Sequence, residues 1–242
     1  MDNIFLTDKI VLSDKKLFYE DKLIKSHNWH HLLKDYGWEK LHKTWIKRLN
    51  TFLDKDFKSK NSLFGCLDCG GDGDCLFHCL SYAINDITDI DLFSIDSNSL
   101  RNDLSESITI EKFKEIIEIY KILNESGDFD ESWDPETITY EEFKEKIVEG
   151  GNEYWGDNIL INLLKEILNV NIFILNSNEF TNEFYNYPLM YDYNKQLKTI
   201  ILLYENNIHF KLIGYFKDNN MIYYFDNENL PEEILKLNNL IR

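Results

Sequence analysis

Along the first two thirds of the chain, apolar residues recur at three- and four-residue spacing. In the last third they run together or alternate, so helices are expected early and strands late. Residues 1–26 mix short apolar pieces with charges and give no clear assignment. From Asn28 to Leu53, an apolar stripe through Trp29, Leu32, Leu33, Tyr36, Leu41, Trp45, Leu49 and Phe52 predicts an amphipathic helix, which Gly37 would divide into two. The stripe reads as a layer packed on the body, with a partner-binding arm as the alternative. Asp54 to Asn61 is a charged linker and a candidate boundary.

Leu76, Phe77, Leu80, Ala83 and Ile84 then repeat at helical spacing, and Asn85 to Ser99 is polar and loop-like. Leu100, Leu104 and Ile108 mark a helix, and Ile110, Phe113, Ile117, Tyr120 and Leu123 mark another. Gly127 to Pro135 breaks the pattern. Thr139 with Glu142 forms a capping box, and Gly150-Gly151 ends the helix it opens. Asp157 caps an amphipathic helix from Ile159 to Leu168. Val170–Leu175 reads as a buried strand and Tyr185–Tyr193 as an irregular edge strand. Leu197–Tyr204, Ile208–Phe216 and Met221–Phe225 read as three more strands joined by Asn-rich turns. Pro231 opens a closing helix, Glu232–Leu240. The expectation is an α+β fold with a mixed sheet between helical layers. Residues 1–60 would form an added N-terminal helical layer and residues 61–242 the main domain.

With 242 residues, 43% hydrophobic and 14% aromatic, the chain has ample material for a core. It lacks an apolar run of membrane-spanning length, and Met1–Phe5 does not resemble a signal peptide. Its four cysteines fall between Cys66 and Cys79, which suits a reducing compartment better than a disulfide framework. A soluble cytoplasmic monomer is expected. The net charge of −17 is uneven: residues 1–65 hold 13 Lys/Arg against 9 Asp/Glu, and the remainder 13 against 34. So acidic a body disfavours nucleic acid and favours a basic partner.

The Gly70-Gly71-Asp72-Gly73-Asp74 stretch cannot be regular structure, and it delivers Cys75 onto the first turn of a buried helix. Unpaired N–H groups and the positive end of the helix dipole stabilise a thiolate there, together with any oxyanion beside it. A nucleophilic cysteine needs a base. Of the six histidines, His27, His30, His31 and His42 lie in the N-terminal segment, and His78 shares a helix with Cys75. His209 opens an apolar strand and is the preferred partner.

The segment Asp72-Gly73-Asp74-Cys75-Leu76-Phe77 resembles the Asp-Gly-x-Cys-Leu-Phe signature of the ovarian tumour (OTU) family of cysteine proteases. Leu100-Arg101, Trp155-Gly156 and Ile208-His209-Phe210 are similar to later motifs of that family and occur in its order. The resemblance spans about Leu63 to Phe225 and implies the family's papain-type fold. It also implies hydrolysis of the (iso)peptide bond after the C-terminal glycine of ubiquitin or a related modifier, without a cofactor or metal. Cys75 would be the nucleophile, His209 the base and then acid, and Asp72 a shaping residue of the active site. The backbone N–H groups of Gly73, Asp74 and Cys75 would bind the oxyanion. Trp155 would line the substrate channel or lie as a core aromatic beneath the site. Ubiquitin or polyubiquitin is the expected partner. Acidic residues between 125 and 157 are candidates to meet the arginines of its tail.

Many family members carry Asn or Asp two residues after the histidine. Here that position is Lys211, which cannot accept a hydrogen bond. Asn207, Asp72 or a backbone carbonyl are the candidates to orient the ring. Two rival readings stand beside the protease. Cys66-x2-Cys69 and Cys75-x3-Cys79, with His78, could hold zinc. Alternatively, the fold could serve as a catalytically dead ubiquitin-binding scaffold. The Asn-, Ile- and Lys-rich composition suggests an AT-rich genome, and with the resemblance it suits a viral or parasite effector acting on host ubiquitin.

Overall fold

The computed structural model describes residues 3–53, 62–85, 95–127, 129, 133–151, 154–187 and 193–240. The chain starts with strands. β1 (Ile4–Phe5), β2 (Ile10–Ser13), β3 (Lys16–Tyr19) and β4 (Lys22–Leu23) form an antiparallel four-stranded meander. Asp14-Lys15 and Glu20-Asp21 close its last two hairpins with positive φ at both turn residues. That is the turn handedness that matches strand twist. The expected long helix is divided into α1 (Trp29–Leu32), a 3-10 turn (Lys34–Tyr36), β5 (Trp38–Lys40) and α2 (Lys43–Asn50). The interruption has a local cause. Gly37 takes a left-handed conformation with φ +89°, which ends the turn and redirects the chain into β5.

The N-terminal helical layer expected from the sequence is therefore corrected to a meander, two short helices and a strand. Its residues are not an appendage. β5 pairs with β6 (Phe64–Leu67) at one edge of the main sheet. Ile10, Leu12, Leu17, Ile24, Trp29 and Trp38 also join the principal core. The Leu17 N–H donates to the carbonyl of Asn219, tying the meander to the body. The candidate linker at Asp54–Asn61 lies outside the described residues.

The helices follow: α3 (Cys75–Ile84), α4 (Ser97–Ser107), α5 (Ile110–Ser126), α6 (Tyr140–Glu149) and α7 (Asn158–Leu168). Thr139 and Glu142 form the expected capping box of α6, and the Asp157 carboxylate caps α7 through the N–H groups of Ile159 and Leu160. β7 (Asn171–Asn178), β8 (Glu183–Asn186), β9 (Thr199–Glu205), β10 (His209–Lys217), β11 (Asn220–Ile222) and β12 (Tyr224–Phe225) come next, and α8 (Glu232–Leu237) closes the fold.

The main sheet runs β5-β6-β10-β9-β7-β8, with β11 on β10 and β12 on β9. Only the β7–β9 pair is parallel among the described strands, so the sheet is mixed. Alternate residues supply two cores. Ile172, Ile174, Leu202, Phe210 and Leu212 face α3 to α7, whereas Phe173, Leu175, Ile201, Leu203 and Ile213 face α2 and α8. The sheet thus lies between helical layers, as an α+β fold. No described helix is long and apolar enough to cross a membrane.

Candidate active site

α3 begins at Cys75 because the residues before it form a turn. Asp72 and Gly73 have φ of +58° and +86°, and the Asp74 N–H donates to the Gly71 carbonyl at 3.1 Å. The Asp74 carbonyl then accepts the first helical bond, from the His78 N–H at 2.9 Å. A β-carbon on Gly73 would stand 2.1 Å from the Gly151 carbonyl oxygen, so close approach and left-handed geometry together require glycine.

An ion pair holds this turn from beneath. Arg101, fully buried on α4, donates through Nε to Asp74 Oδ1 at 2.8 Å, and Nη2 reaches the same oxygen. Its remaining donors go to the carbonyls of Ile147 and Tyr154. The guanidinium also stacks over the Phe77 ring, 4.0 Å from the centroid. The Gly151 N–H donates to the same Asp74 oxygen. Burial pulls the guanidinium below its ordinary pKa while the Asp74 carboxylate supports its charge. Asp74 and Arg101 are therefore the anchor. Asp72, the motif aspartate, is exposed at the tip of the turn.

The sulfur of Cys75 is buried against β10. The Phe210 N–H donates to Cys75 Sγ at 3.3 Å, and Cys79, one helical turn on, donates its thiol to the Phe210 carbonyl at 3.5 Å. Burial pushes the Cys75 thiol above its ordinary pKa. The N–H groups of Phe210, Leu76 and Cys75 itself oppose that shift by stabilising the thiolate. The Asp74 N–H is engaged with the Gly71 carbonyl, and the helix N–H groups that reach the sulfur are those of Leu76 and Cys75.

His209 immediately precedes Phe210, so its backbone stands one residue from the contact that seats β10 on α3. Its ring Nε2 lies 3.1 Å from Asp68 Oδ1, just past the end of β6. Asn207, the expected orienting residue, has φ +62° in the β9–β10 turn, where its carbonyl accepts from the Tyr204 hydroxyl. Lys211 turns to Glu205 at 2.7 Å. Asp68 is the residue the sequence did not single out. Its signal was present in the spacing, as an acid one residue past a strand and two before the Gly-rich turn.

Trp155 is 43% exposed, so the reading as a core aromatic is corrected: Tyr154, fully buried, takes that place. Next to it, a β-carbon on Gly156 would stand 2.3 Å from Leu76 Cδ2, which presses this segment onto the first turn of α3. Among the proposed tail-binding acids, Asp128, Asp130, Glu131 and Glu153 lie outside the described residues. The thiols offered as zinc ligands are divided by the sheet. Cys66 belongs to the core facing α2 and α8, with its pKa pushed up to about 12 by burial, while Cys75 and Cys79 face the other way. Among the described residues, no three His, Cys, Asp or Glu side chains are grouped to hold a metal ion.

The chain is similar in fold to solved OTU domains. One, an OTU domain in complex with ubiquitin, is 17% identical; the match covers 72% of this chain and 84% of that one, with a TM-score of 0.38. An OTU deubiquitinase from Wolbachia pipientis wMel bound to ubiquitin is 16% identical, with 69% and 98% covered and a TM-score of 0.42. The viral OTU domain protease from Dera Ghazi Khan virus is 16% identical, with 64% and 82% covered and a TM-score of 0.37. No curated protein matches the chain. A family model of OTU-like cysteine proteases matches residues 70–210, which is more than half of the sequence and runs from the Gly-rich turn to the residue that touches the Cys75 sulfur. The chain belongs to the OTU-like cysteine protease family.

Proposed function

We propose that this chain is a deubiquitinating cysteine protease that cleaves the (iso)peptide bond after the C-terminal glycine of ubiquitin or a related modifier. The observation that carries the reading is the Phe210 N–H on Cys75 Sγ: the residue that follows His209 in the chain touches a thiol at a helix start. In the reaction, His209 takes the Cys75 proton as the sulfur attacks the carbonyl carbon, and the N–H groups of Cys75 and Leu76 receive the oxyanion. The imidazolium then returns that proton to the leaving amine as the carbon–nitrogen bond breaks. Water, deprotonated by the same imidazole, hydrolyses the thioester and releases the modifier's carboxylate and the free thiol.

The substrate class rests on family membership and on charge. Residues 66–242 hold 34 acidic against 13 basic residues, a body suited to the basic tail of ubiquitin and unsuited to nucleic acid. Trp155 and Ile208, both exposed and next to segments that touch the first turn of α3, are available to hold the tail. The reading places the protein as a monomer in the cytoplasm, where Cys75 stays reduced.

The test is covalent labelling by ubiquitin carrying a C-terminal propargylamide, alongside cleavage of a di-ubiquitin panel. Labelling and cleavage that vanish in Cys75→Ala and in His209→Ala are expected. Tight ubiquitin binding with neither labelling nor cleavage by the wild type would replace the enzyme with a scaffold.

A further inference from the structure

We propose that Asp68 is the positioning residue for His209, an acceptor that fixes the ring's tautomer and direction; the inference rests on the Cys75–His209 reading. The first support is the contact itself, Nε2 to Oδ1 at 3.1 Å, with the imidazole side chain 23% exposed and the carboxylate 58% exposed. The second is that the carboxylate is oriented before the ring arrives. The Gly70 N–H donates to the same Oδ1 at 3.1 Å, a local turn that points the oxygen without help from β10.

The third support is the strand register. Leu67 pairs with Leu212, so carrying the antiparallel β6–β10 ladder one residue further sets Asp68 opposite Lys211. Directly opposed residues are neighbours across a ladder, so this register brings the end of β6 to the start of β10, where His209 stands. The acceptor missing at 211 is thus supplied across the ladder, from the neighbouring strand. Lys211 does not compete for it, because its ammonium is paired with Glu205 of β9 at 2.7 Å. The other carboxylate at the ring is Glu205, directly opposite His209 on β9, and it is the one that Lys211 engages. The remaining titratable groups around the pair, Cys66, Cys69, Cys75, His78 and Cys79, offer no carboxylate.

In a neutral imidazole, the nitrogen that donates decides which nitrogen keeps a lone pair. With Nε2–H donated to Asp68, Nδ1 is the basic nitrogen left to take the thiol proton. Once that proton is taken, Asp68 faces an imidazolium and stabilises it as a counter-charge. A substrate tail covering the site would remove water from this half-exposed pair and strengthen it.

Two measurements on the full chain test the proposal. Asp68→Ala should lower kcat on a fluorogenic ubiquitin C-terminal amide by about 10- to 100-fold with KM within about twofold. In the same variant, long-range proton–nitrogen NMR at a pH where His209 is neutral should show mixed tautomers, against a single Nε2–H form in the wild type. The His209 signals are assigned by their loss in His209→Gln. Asp68→Asn keeps an oxygen acceptor for both the ring and the Gly70 N–H, so it should restore the Nε2–H form and part of kcat. Retention of wild-type kcat, retention of one tautomer in Asp68→Ala, or a change confined to KM would each overturn the assignment. If the wild type cleaves no ubiquitin substrate, the enzyme reading fails, and the tautomer measurement still decides the role of Asp68.

Discussion

The N–H of Phe210 and the sulfur of Cys75 meet at 3.3 Å, so the strand that carries His209 is hydrogen-bonded to the Cys75 thiol. Cys79 binds the carbonyl of the same residue, and the two cysteines hold both backbone groups of Phe210 from one face of α3.

This seating buries the thiol and lifts its pKa, so in the resting protein the thiolate fraction of Cys75 at pH 7 falls below that of an exposed cysteine. Alkylation of Cys75 by iodoacetamide should be slower than that of the partly exposed Cys69 at pH 7 and should climb as the pH rises above 9. Cys66 and Cys79, whose burial raises their pKa further, should react last. Site-resolved mass spectrometry reads the order. Alkylation of Cys75 at pH 6.5 as fast as that of Cys69 would contradict the burial argument.

Arg101 and Asp74 hold the Cys75 turn by a buried ion pair, and removing one partner strands the other in the core. Arg101→Ala should cost about 3–5 kcal/mol of unfolding free energy by denaturant titration. A cost under about 1 kcal/mol would show that the turn stands without the pair.

Asp157 gives a pH signature. Tyr120 donates to its Oδ2 at 2.6 Å and is itself hydrogen-bonded to Tyr154, and burial raises the carboxyl pKa against these opposing contacts. A raised native pKa gives a contribution to stability that is complete below the unfolded value of 3.8 and is lost as pH rises through the native one. Asp157→Asn, which keeps the cap oxygen for Ile159 and Leu160, removes that loss. Its stability relative to wild type should therefore improve between pH 4 and pH 7, measured by chemical unfolding at each pH. A difference independent of pH would show that Asp157 does not titrate in this window.

Trp155 is exposed, so Trp155→Ala should change stability by less than about 0.5 kcal/mol. If it holds the tail, KM for ubiquitin substrates should rise severalfold while kcat stays near wild type. A large loss of thermal stability with unchanged KM would return it to a packing role.

Much of the frame was legible because its signals are local. The Thr139–Glu142 box, the Asp157 cap and the apolar runs of β7, β9 and β10 are written in neighbouring residues, and so is the Gly-rich turn before Cys75. The N-terminal strands were not legible. They are two to four residues long with charges between them, too short for an alternation to emerge, and their core partners lie far along the chain. β5 was hidden inside a helical stripe, between Tyr36 and Leu41, and only its pairing with β6 reveals it. Asp68 and Asp74 escaped for a related reason. Their partners, His209 and Arg101, are fixed by topology, which makes a carboxylate in a loop look like any other.

The connection Asn206-Asn207-Ile208 joins Glu205 of β9 to His209 of β10, with its two asparagines at φ +54° and +62°. Since neighbours on a strand point to opposite sides, its length acts as a phase setting for everything downstream. One residue more or fewer would exchange an imidazole and a benzyl ring, taking Phe210 out of the core it shares with α3 and His209 away from Asp68. Glycine could replace Asn207 at little cost, because only its left-handed backbone and its carbonyl are used, whereas the Asn206 side chain accepts from the Glu179 N–H at 3.0 Å. The chemistry is therefore indifferent to the side chain at Asn207 and sensitive to how many peptide units this surface turn contains.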